Sequence, residues 1–161
     1  RRKGQAHLNE NGQTAAIYTP GYSVFRTPPT PAVVFRTTGS AHEIQTPPVS
    51  GCGISPDGWR VMCFEEFDPQ TRKGVFRTRN LKTGKIEIEA AGRLTSPPRG
   101  LSPDGRHSLM PVVGALSSSY VVSPYRKRDG NVVPDDFGWL GFTYQGDVIS
   151  RRGEFLTLSA P

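Results

Sequence analysis

The segment Ile54-Ser-Pro-Asp-Gly-Trp-Arg-Val-Met-Cys63 predicts a β-hairpin built around a turn at residues 55–58. Proline fixes φ at the second position of a type I turn, aspartate accepts hydrogen bonds from the nearby backbone, and glycine takes the left-handed conformation that follows. Because apolar residues flank the turn, one strand is expected to enter it and another to leave it. The predicted structural turn residues are Pro56, Asp57 and Gly58.

The same turn pattern recurs along the chain. A close copy begins at Leu101, another copy begins at Leu8 and a weaker one begins at Phe142; each has an apolar residue, three mostly turn-prone positions and then glycine. The four successive glycines are 46, 47 and 41 residues apart, which indicates an internal repeat of four units. In the close copy, the predicted structural turn residues are Pro103, Asp104 and Gly105.

A second sequence pattern follows these turns and recurs with nearly the same spacing. Residues 74–88 are typical of a strand, a Thr-Gly turn and another strand, residues 120–133 repeat that order, and residues 33–45 contain a shorter version. Each unit is therefore predicted to hold four short antiparallel strands, A to D, with the first turn between A and B. We expect an all-β chain of three full four-stranded units and a partial fourth that lacks strand D. Their approximate bounds are 1–47, 48–94, 95–137 and 138–161.

These units resemble the blades of TolB-type and WD-repeat-like β-propellers in the S-P-D-G turn and in the segment Leu81-Lys-Thr-Gly-Lys85. The Trp-Asp and Gly-His pairs of WD repeats are absent, which favours the TolB-like subtype. The resemblance covers nearly the whole chain and implies a propeller with a protein-binding role and an extracytoplasmic location. Because a closed propeller has about 4–8 blades, we expect either a larger propeller or completion by a second copy or a protein partner. The initial arginine indicates a processed or partial chain.

Composition excludes several other classes of protein. With 18 glycines, 15 prolines and no 3.6-residue apolar periodicity between the prolines, the chain is not a helical bundle. No run approaches the ~18 apolar residues of a transmembrane helix. The net charge is +6, but the Lys and Arg residues are dispersed rather than gathered in one block. Nucleic acid is therefore not expected as a partner, and binding to nucleic acid or to an anionic glycan is the weakest hypothesis.

The sequence contains no familiar catalytic or metal-binding motif. It has no G-x-S-x-G nucleophile elbow and no H-E-x-x-H motif, and its two cysteines are too few for a four-cysteine zinc site. We therefore assign no catalytic residue, metal ligand or cofactor. The favoured function is a non-enzymatic propeller module that binds a protein or peptide through its variable loops. The alternative is the propeller part of a hydrolase, or a propeller enzyme whose site collects residues from several blades.

The predicted binding surface consists of the B–C loops, which differ most between units. The long loop of unit 1 contributes Tyr18, Tyr22 and Phe25, because protein interfaces are enriched in aromatic residues. In the alternative, Tyr22 and Phe25 pack back onto the blade. The loop of unit 2, at 65–73, has mixed charge, and its candidate binding residues are Glu65, Glu66 and Arg72.

Two cysteines are predicted to face each other across the first hairpin of unit 2. If Ile54 pairs with Val61, then Cys52 pairs with Cys63. Directly opposed Cβ atoms in a sheet are about 4.5–5.5 Å apart, slightly wider than a disulfide prefers. Either a disulfide or a pair of buried thiols is therefore expected. A disulfide would agree with the extracytoplasmic location that the resemblance implies.

Overall fold

The structure, a computed structural model, describes residues 5–9, 11–18, 30–36, 43–93, 100–111, 118–122, 131–135, 139–152 and 155–159. Within these ranges the chain forms thirteen β-strands, and no helix there is long and apolar enough to cross a membrane. The strands are β1 Gln5–Leu8, β2 Thr14–Tyr18, β3 Thr30–Arg36, β4 Glu43–Ile54, β5 Arg60–Asp68, β6 Lys73–Asn80, β7 Ile86–Arg93, β8 Leu109–Pro111, β9 Ser118–Val122, β10 Asn131–Asp135, β11 Trp139–Phe142, β12 Val148–Arg152 and β13 Phe155–Ser159.

The strands form three antiparallel sheets, which confirms the all-β prediction. Strands β1 to β7 follow one another in chain order in a seven-stranded sheet, while β8–β10 and β11–β13 form three-stranded sheets. An isolated bridge between Leu101 and Ser108 precedes β8. We number the repeat units 1 to 4 by the turns between their first two strands. The glycines of these turns are Gly12, Gly58, Gly105 and Gly146, and all four have positive φ.

Units 1 and 2 share one continuous strand where the sequence predicts two. Strand β4 pairs with β3 over its first part and with β5 over its last part, and Val49 lies opposite both Thr30 and Glu65. The predicted boundary at residues 47–48 therefore falls inside a strand. Pro47 and Pro48 do not end this strand. Prolines are tolerated where a ladder is irregular, and the β3–β4 register shifts directly after the pair Pro31–Pro48.

The two faces of unit 2 belong to two different hydrophobic cores. On one face, Cys52, Ile54, Val61 and Cys63 pack with residues of β2 and β3 in unit 1, including Tyr18. On the opposite face, the buried side chains of Met62, Phe64 and Phe76 cluster with Leu101 of unit 3. Because side chains alternate between faces along a strand, β5 contributes to both cores. Unit 2 is thus packed between units 1 and 3.

The turns of units 2 and 3 are each held by the preceding unit. In unit 2, the hydroxyl of Thr14 donates a 2.7 Å hydrogen bond to the carbonyl oxygen of Gly58. In unit 3, the hydroxyl of Thr78 donates in the same way to Gly105 at 3.1 Å. Gly58 and Gly105 have φ values of 70° and 76°, the left-handed conformation predicted for them. Three more side chains of the preceding units donate hydrogen bonds to backbone carbonyl oxygens of these turns. The pairs are Asn9 to Pro56, Arg36 to Asp57 and Arg60 to Pro103, at 3.0, 3.3 and 2.8 Å.

The turn of unit 4 lies beside the turns of units 3 and 1. A Cβ atom at Gly146 would lie 3.9 Å from Cδ of Pro103. The side-chain amide of Asn11 donates a 3.2 Å hydrogen bond to the hydroxyl of Tyr144. The four turns therefore form one contiguous group, although they are spread over more than 130 residues of sequence.

The tetrapeptide Val-Phe-Arg-Thr occurs at residues 24–27, 34–37 and 75–78. Residues 34–36 of the second copy lie in strand β3 and the third copy lies in strand β6, but the two strands have different registers. Val34 pairs with Ala16, which is four residues after Gly12. The equivalent residue of unit 2, Met62, pairs with Thr78 rather than with Val75. An offset of three residues turns a side chain to the other face of a sheet. Phe35 and Phe76 consequently lie on opposite faces of the sheet, although each is the second residue of the same tetrapeptide.

Candidate interaction site

Tyr18 is part of strand β2 and not of an exposed loop. Its side chain is 3% exposed, and its hydroxyl accepts a 3.1 Å hydrogen bond from the backbone N–H of Cys52. The prediction that Tyr18 is a surface contact residue is therefore wrong. Strand β2 extends to this position, and the alternation of side chains turns the ring toward unit 2. The other two aromatic candidates, Tyr22 and Phe25, lie outside the described residues.

Glu65 is also inside a strand, although the sequence predicts a loop from residue 65 to 73. Strand β5 continues to Asp68, and the side chain of Glu65 is fully buried. Its two carboxylate oxygens bind both terminal nitrogens of Arg79; the Nη2–Oε2 distance is 3.1 Å. A buried carboxylate is stable only when its charge is paired and hydrogen-bonded. The bidentate guanidinium meets that requirement, and it makes Glu65 a structural residue that a ligand cannot reach.

Arg77 joins three carboxylates from two neighbouring strands. Its Nη1 atom lies 2.8 Å from Glu65 and 2.6 Å from Glu66, while its Nε lies 2.6 Å from Glu89 on β7. The hydrogen bonds that Arg77 donates to Glu89, Glu65 and Glu66, in that order of size, raise the pKa of Arg77. The guanidinium therefore stays charged and holds β5, β6 and β7 together at this point.

The remaining two candidates, Glu66 and Arg72, are exposed and flank the turn between β5 and β6. They have φ values of 54° and 56° and are the non-glycine residues with positive φ among those described. Within this turn, Asp68 accepts hydrogen bonds from the Thr71 hydroxyl and from the backbone N–H of Gln70, at 2.6 and 2.8 Å. These two bonds lower the pKa of Asp68. The turn is therefore internally bonded and presents Glu66 and Arg72 on a defined backbone.

Strand β3, which follows the long B–C segment of unit 1 in the sequence, begins near this charged cluster. Strand β2 ends at Tyr18, and strand β3 begins at Thr30. Thr30 pairs with Val49, and Val49 pairs with Glu65 on the next strand. The start of β3 thus lies in the same region of the sheet as the candidate residue Glu65. We call this region the B–C site; it comprises Glu65, Glu66, Arg72, Arg77, Arg79, Glu89 and the strand ends Tyr18 and Thr30.

Three members of the B–C site were not predicted from the sequence: Arg77, Arg79 and Glu89. The available signal was the alternation of Arg77 and Arg79 along one strand, which places both side chains on the same face. Which carboxylates oppose them depends on the pairing of β6 with β5 and β7, since Arg77 lies opposite Cys63 and Glu89. That register is a tertiary property, so the network could not be derived from local sequence.

The B–C site is suited to ion pairing. Each carboxylate of Glu65, Glu66 and Glu89 already contacts a guanidinium. Nucleophilic catalysis uses a different arrangement, in which a nucleophile lies within hydrogen-bond reach of a base and a third group orients that base. Among the described residues, no three His, Cys, Asp or Glu side chains are grouped so as to hold a metal ion. The exposed fractions of the Glu66 and Glu89 side chains, 56% and 55%, leave these carboxylates accessible to a ligand.

The predicted turn residues lie away from the B–C site and serve the turns themselves. Asp57 accepts hydrogen bonds from the Ser55 hydroxyl and from the backbone N–H of Trp59, at 2.5 and 3.1 Å. Asp104 accepts equivalent bonds from the Ser102 hydroxyl and the backbone N–H of Arg106, at 2.5 and 3.0 Å. Burial opposes ionisation of Asp104, but these bonds and the charge interactions with His107 and Arg106 together outweigh it and lower the pKa of this carboxyl. Pro56 and Pro103 contribute turn carbonyls to the contacts between units.

The two cysteines are joined by a disulfide in the hairpin between β4 and β5. Cys52 lies directly opposite Cys63, and Ile54 lies opposite Val61. The Cα atoms of the two cysteines are 4.2 Å apart, and both side chains are fully buried against unit 1. The bond therefore crosses two adjacent strands inside the core rather than on the surface.

Comparison with known proteins gives limited similarity. No protein-family model matches the sequence, and no curated protein matches it. The structure is similar to that of TolB from Acinetobacter baumannii, with 13% identity and a TM-score of 0.46 over 96% of this chain and 39% of that chain. It is also similar to Kuenenia stuttgartiensis hydrazine synthase, with 13% identity and a TM-score of 0.44 over 89% of this chain and 48% of that chain. The chain thus spans less than half the length of either protein, and no family membership follows.

Proposed function

We propose that the chain is a non-enzymatic β-propeller module that binds a protein or peptide partner through the B–C site. The observation that carries this proposal is the position of Thr30, the strand residue that follows the variable segment, across β4 from Glu65 of the Glu65–Arg77–Arg79 network. Binding surfaces are commonly built from variable segments on a rigid scaffold. Here the buried ion pairs fix the scaffold, and the exposed carboxylates lie at its rim.

The chemistry of the rim favours a partner segment with a basic side chain. Glu66 and Glu89 present two carboxylates around Arg77, and Asp68 lies two residues beyond Glu66. A lysine or arginine of the partner would add a second cation to the half-exposed carboxylates. Such rim contacts determine which partner is accepted more than they determine affinity.

Two further features belong to this proposal. The turn, the strand pair that it joins and the hydrogen bond from the preceding unit recur along the chain. This recurrence supports a propeller that a protein partner or a second copy completes. The disulfide between Cys52 and Cys63 supports an extracytoplasmic location, because disulfides persist mainly in oxidising compartments. The alternative, a propeller enzyme with a site assembled from several blades, has no specific observation in its favour among the described residues.

Selection from a displayed library of random peptides against the full chain tests the proposed site. We expect basic peptides to be enriched and Glu66→Lys to weaken their binding by about tenfold or more, because like charges oppose each other. Glu87→Lys is the matched control: Glu87 is likewise a glutamate paired with an arginine, but it is on β7 and pairs with Arg60 near the A–B turns. Failure to enrich any peptide, or equal losses in the two variants, would overturn the proposal.

A further inference from the structure

The indole ring of Trp59 contacts two cationic side chains beside the A–B turn of unit 2. The guanidinium carbon of Arg36 lies 4.0 Å from the centroid of the ring, and Nζ of Lys82 lies 4.6 Å from it. Both distances are those of cation–π contacts. The two cationic groups are therefore no further apart than the sum of these distances. We call this group the Trp59 site; it comprises Arg36, Trp59 and Lys82.

The fold brings the two cations to the ring from two different units. Arg36 is the last residue of β3 in unit 1, and its Nη1 donates a 3.3 Å hydrogen bond to the carbonyl oxygen of Asp57. Lys82 lies in the turn between β6 and β7 of unit 2 and follows the buried Leu81. The backbone N–H of Leu81 donates a 2.8 Å hydrogen bond to the carbonyl oxygen of Trp59. The packing of units 1 and 2 therefore assembles the site.

The positive charge of the Trp59 site is not balanced by a carboxylate. No ion pair among the described residues includes Arg36 or Lys82. The carboxylate of Asp57 accepts hydrogen bonds within its own turn, and that of Glu87 pairs with Arg60. Two like charges held this close repel each other, and an anion in contact with both would offset that repulsion.

The repeated turn does not by itself require a tryptophan at this position. The residue after the turn glycine is Gln13 in unit 1, Arg106 in unit 3 and Asp147 in unit 4. All four turn glycines have positive φ, so the turn takes the same left-handed conformation with or without an aromatic residue beside it. The Trp59 site is thus a feature of unit 2 alone, which the geometry common to the four turns does not account for.

We propose that the Trp59 site binds a doubly charged phosphate group, which contacts both Arg36 and Lys82. A guanidinium that stacks on an aromatic face still presents N–H groups along its edge, and their geometry matches the oxygens of a phosphate. The lysine ammonium adds a second positive charge and up to three further donors. A dianion offsets both charges, whereas a carboxylate offsets only one.

This site is separate from the B–C site and has the opposite chemistry. Strand β5 begins at Arg60, next to Trp59, and ends at Asp68 in the turn beside the B–C site. The two sites therefore lie at opposite ends of one strand. The B–C site presents carboxylates for a basic group, while the Trp59 site presents cations for an anion.

Titration of the full chain with inorganic phosphate tests this proposal, with the indole N–H signal of Trp59 in the NMR spectrum as the readout. The titration is made at about pH 8, where the ion carries about two negative charges, and at constant ionic strength, so that general screening does not change. We expect a saturable shift of the signal and a lower Kd for phosphate than for acetate. Trp59→Phe identifies the signal, because the chain has a second tryptophan, Trp139.

Lys82→Gln should raise the phosphate Kd about threefold or more, because it removes one of the two cations. Lys85→Gln is the matched control. Lys85 is an exposed lysine of the same turn, and its loss changes the net charge equally, but its ammonium does not contact the ring. We expect the phosphate Kd of Lys85→Gln to equal that of the wild type. Arg36→Lys is a second variant, which keeps the charge, removes the planar guanidinium and should also weaken phosphate binding.

The absence of a saturable shift, equal Kd values for phosphate and acetate, or equal weakening by Lys82→Gln and Lys85→Gln would overturn the proposal. Phenyl phosphate in a parallel titration distinguishes the two sources of the group: tighter binding than that of the free ion indicates a phosphate ester, and equal or weaker binding indicates the free ion. Peptide binding at the B–C site is expected to persist in Lys82→Gln. Failure of the phosphate titration would therefore leave the proposed function standing, and failure of the peptide selection would leave the Trp59 site standing.

Discussion

The hydroxyl of Thr14 donates a 2.7 Å hydrogen bond to the carbonyl oxygen of Gly58, a residue 44 positions further along the chain. The contact links a strand of unit 1 to the turn of unit 2, and Thr78 and Gly105 repeat it between units 2 and 3. Gly58 therefore meets two requirements at once. Its backbone takes a positive φ, and its missing side chain makes room for the neighbouring unit.

Gly58→Ala should destabilise the protein more than Gly84→Ala. The two glycines have φ values of 70° and 69°, but a Cβ atom at Gly84 would meet no neighbour within 4 Å. The left-handed backbone alone costs alanine about 1–2 kcal/mol. At Gly58, overlap with Thr14 and with the side chain of Asn9 adds about 1–3 kcal/mol. Urea unfolding of both variants measures the difference, and equal losses would show that the turn is not packed against unit 1.

Glu65→Gln should cost about 3–5 kcal/mol of unfolding free energy, because it leaves the buried guanidinium of Arg79 without its counter-charge. The double variant Glu65→Leu with Arg79→Met should lose less than the two single variants combined, since it removes both charges. Glu89→Gln is the control, and its exposed pair with Arg77 should contribute less than about 1 kcal/mol. Additive losses in urea unfolding would contradict the coupling of Glu65 and Arg79.

Loss of the disulfide should lower the unfolding free energy by about 3 kcal/mol, as expected for a short loop closed by a cross-link. Its cysteines are 11 residues apart. Urea unfolding with and without reductant measures this change in the wild type. The variant Cys52→Ala with Cys63→Ala is the control, because reductant should leave its midpoint unchanged. Two titratable thiols in the unreduced, denatured protein would contradict the bond and remove the support for an extracytoplasmic location.

Asp104→Asn should lose stability in a pH-dependent way. The pKa of Asp104 is lowered from 3.8 in the folded chain, so its carboxylate contributes stability that is fully present above pH 3.8 and is lost as the pH falls through the folded value. Asparagine keeps an acceptor for Ser102 and Arg106 but carries no charge. The wild type should exceed the variant by less than about 1 kcal/mol at pH 5, and the gap should narrow toward about pH 3. A gap that widens on acidification would contradict this assignment.

Local sequence was sufficient to predict the A–B turns of units 2 and 3 and the strands that flank them. The Pro-Asp-Gly segments at 56–58 and 103–105 require particular backbone conformations, and the structure has Gly58 and Gly105 in the predicted left-handed region. The facing of Cys52 and Cys63 could be anticipated for the same reason, since a tight turn sets the register of the two strands that it joins. In each case the interacting groups lie within about a dozen residues of one another.

The candidate site depended on contacts between distant residues, and there the sequence alone failed. Tyr18 and Glu65 were predicted on loops, yet β2 and β5 extend through them, and partners on other strands bury them. Phe35 and Phe76 occupy the same tetrapeptide, yet face opposite sides, because the register of β3 differs from that of β6 by three residues. Sequence thus determined the positions of the A–B turns of units 2 and 3 and the pairing of the strands next to them. Tertiary structure decided which side chains are buried and which charges meet, since strand pairing and the packing of one unit on the next are set by long-range contacts.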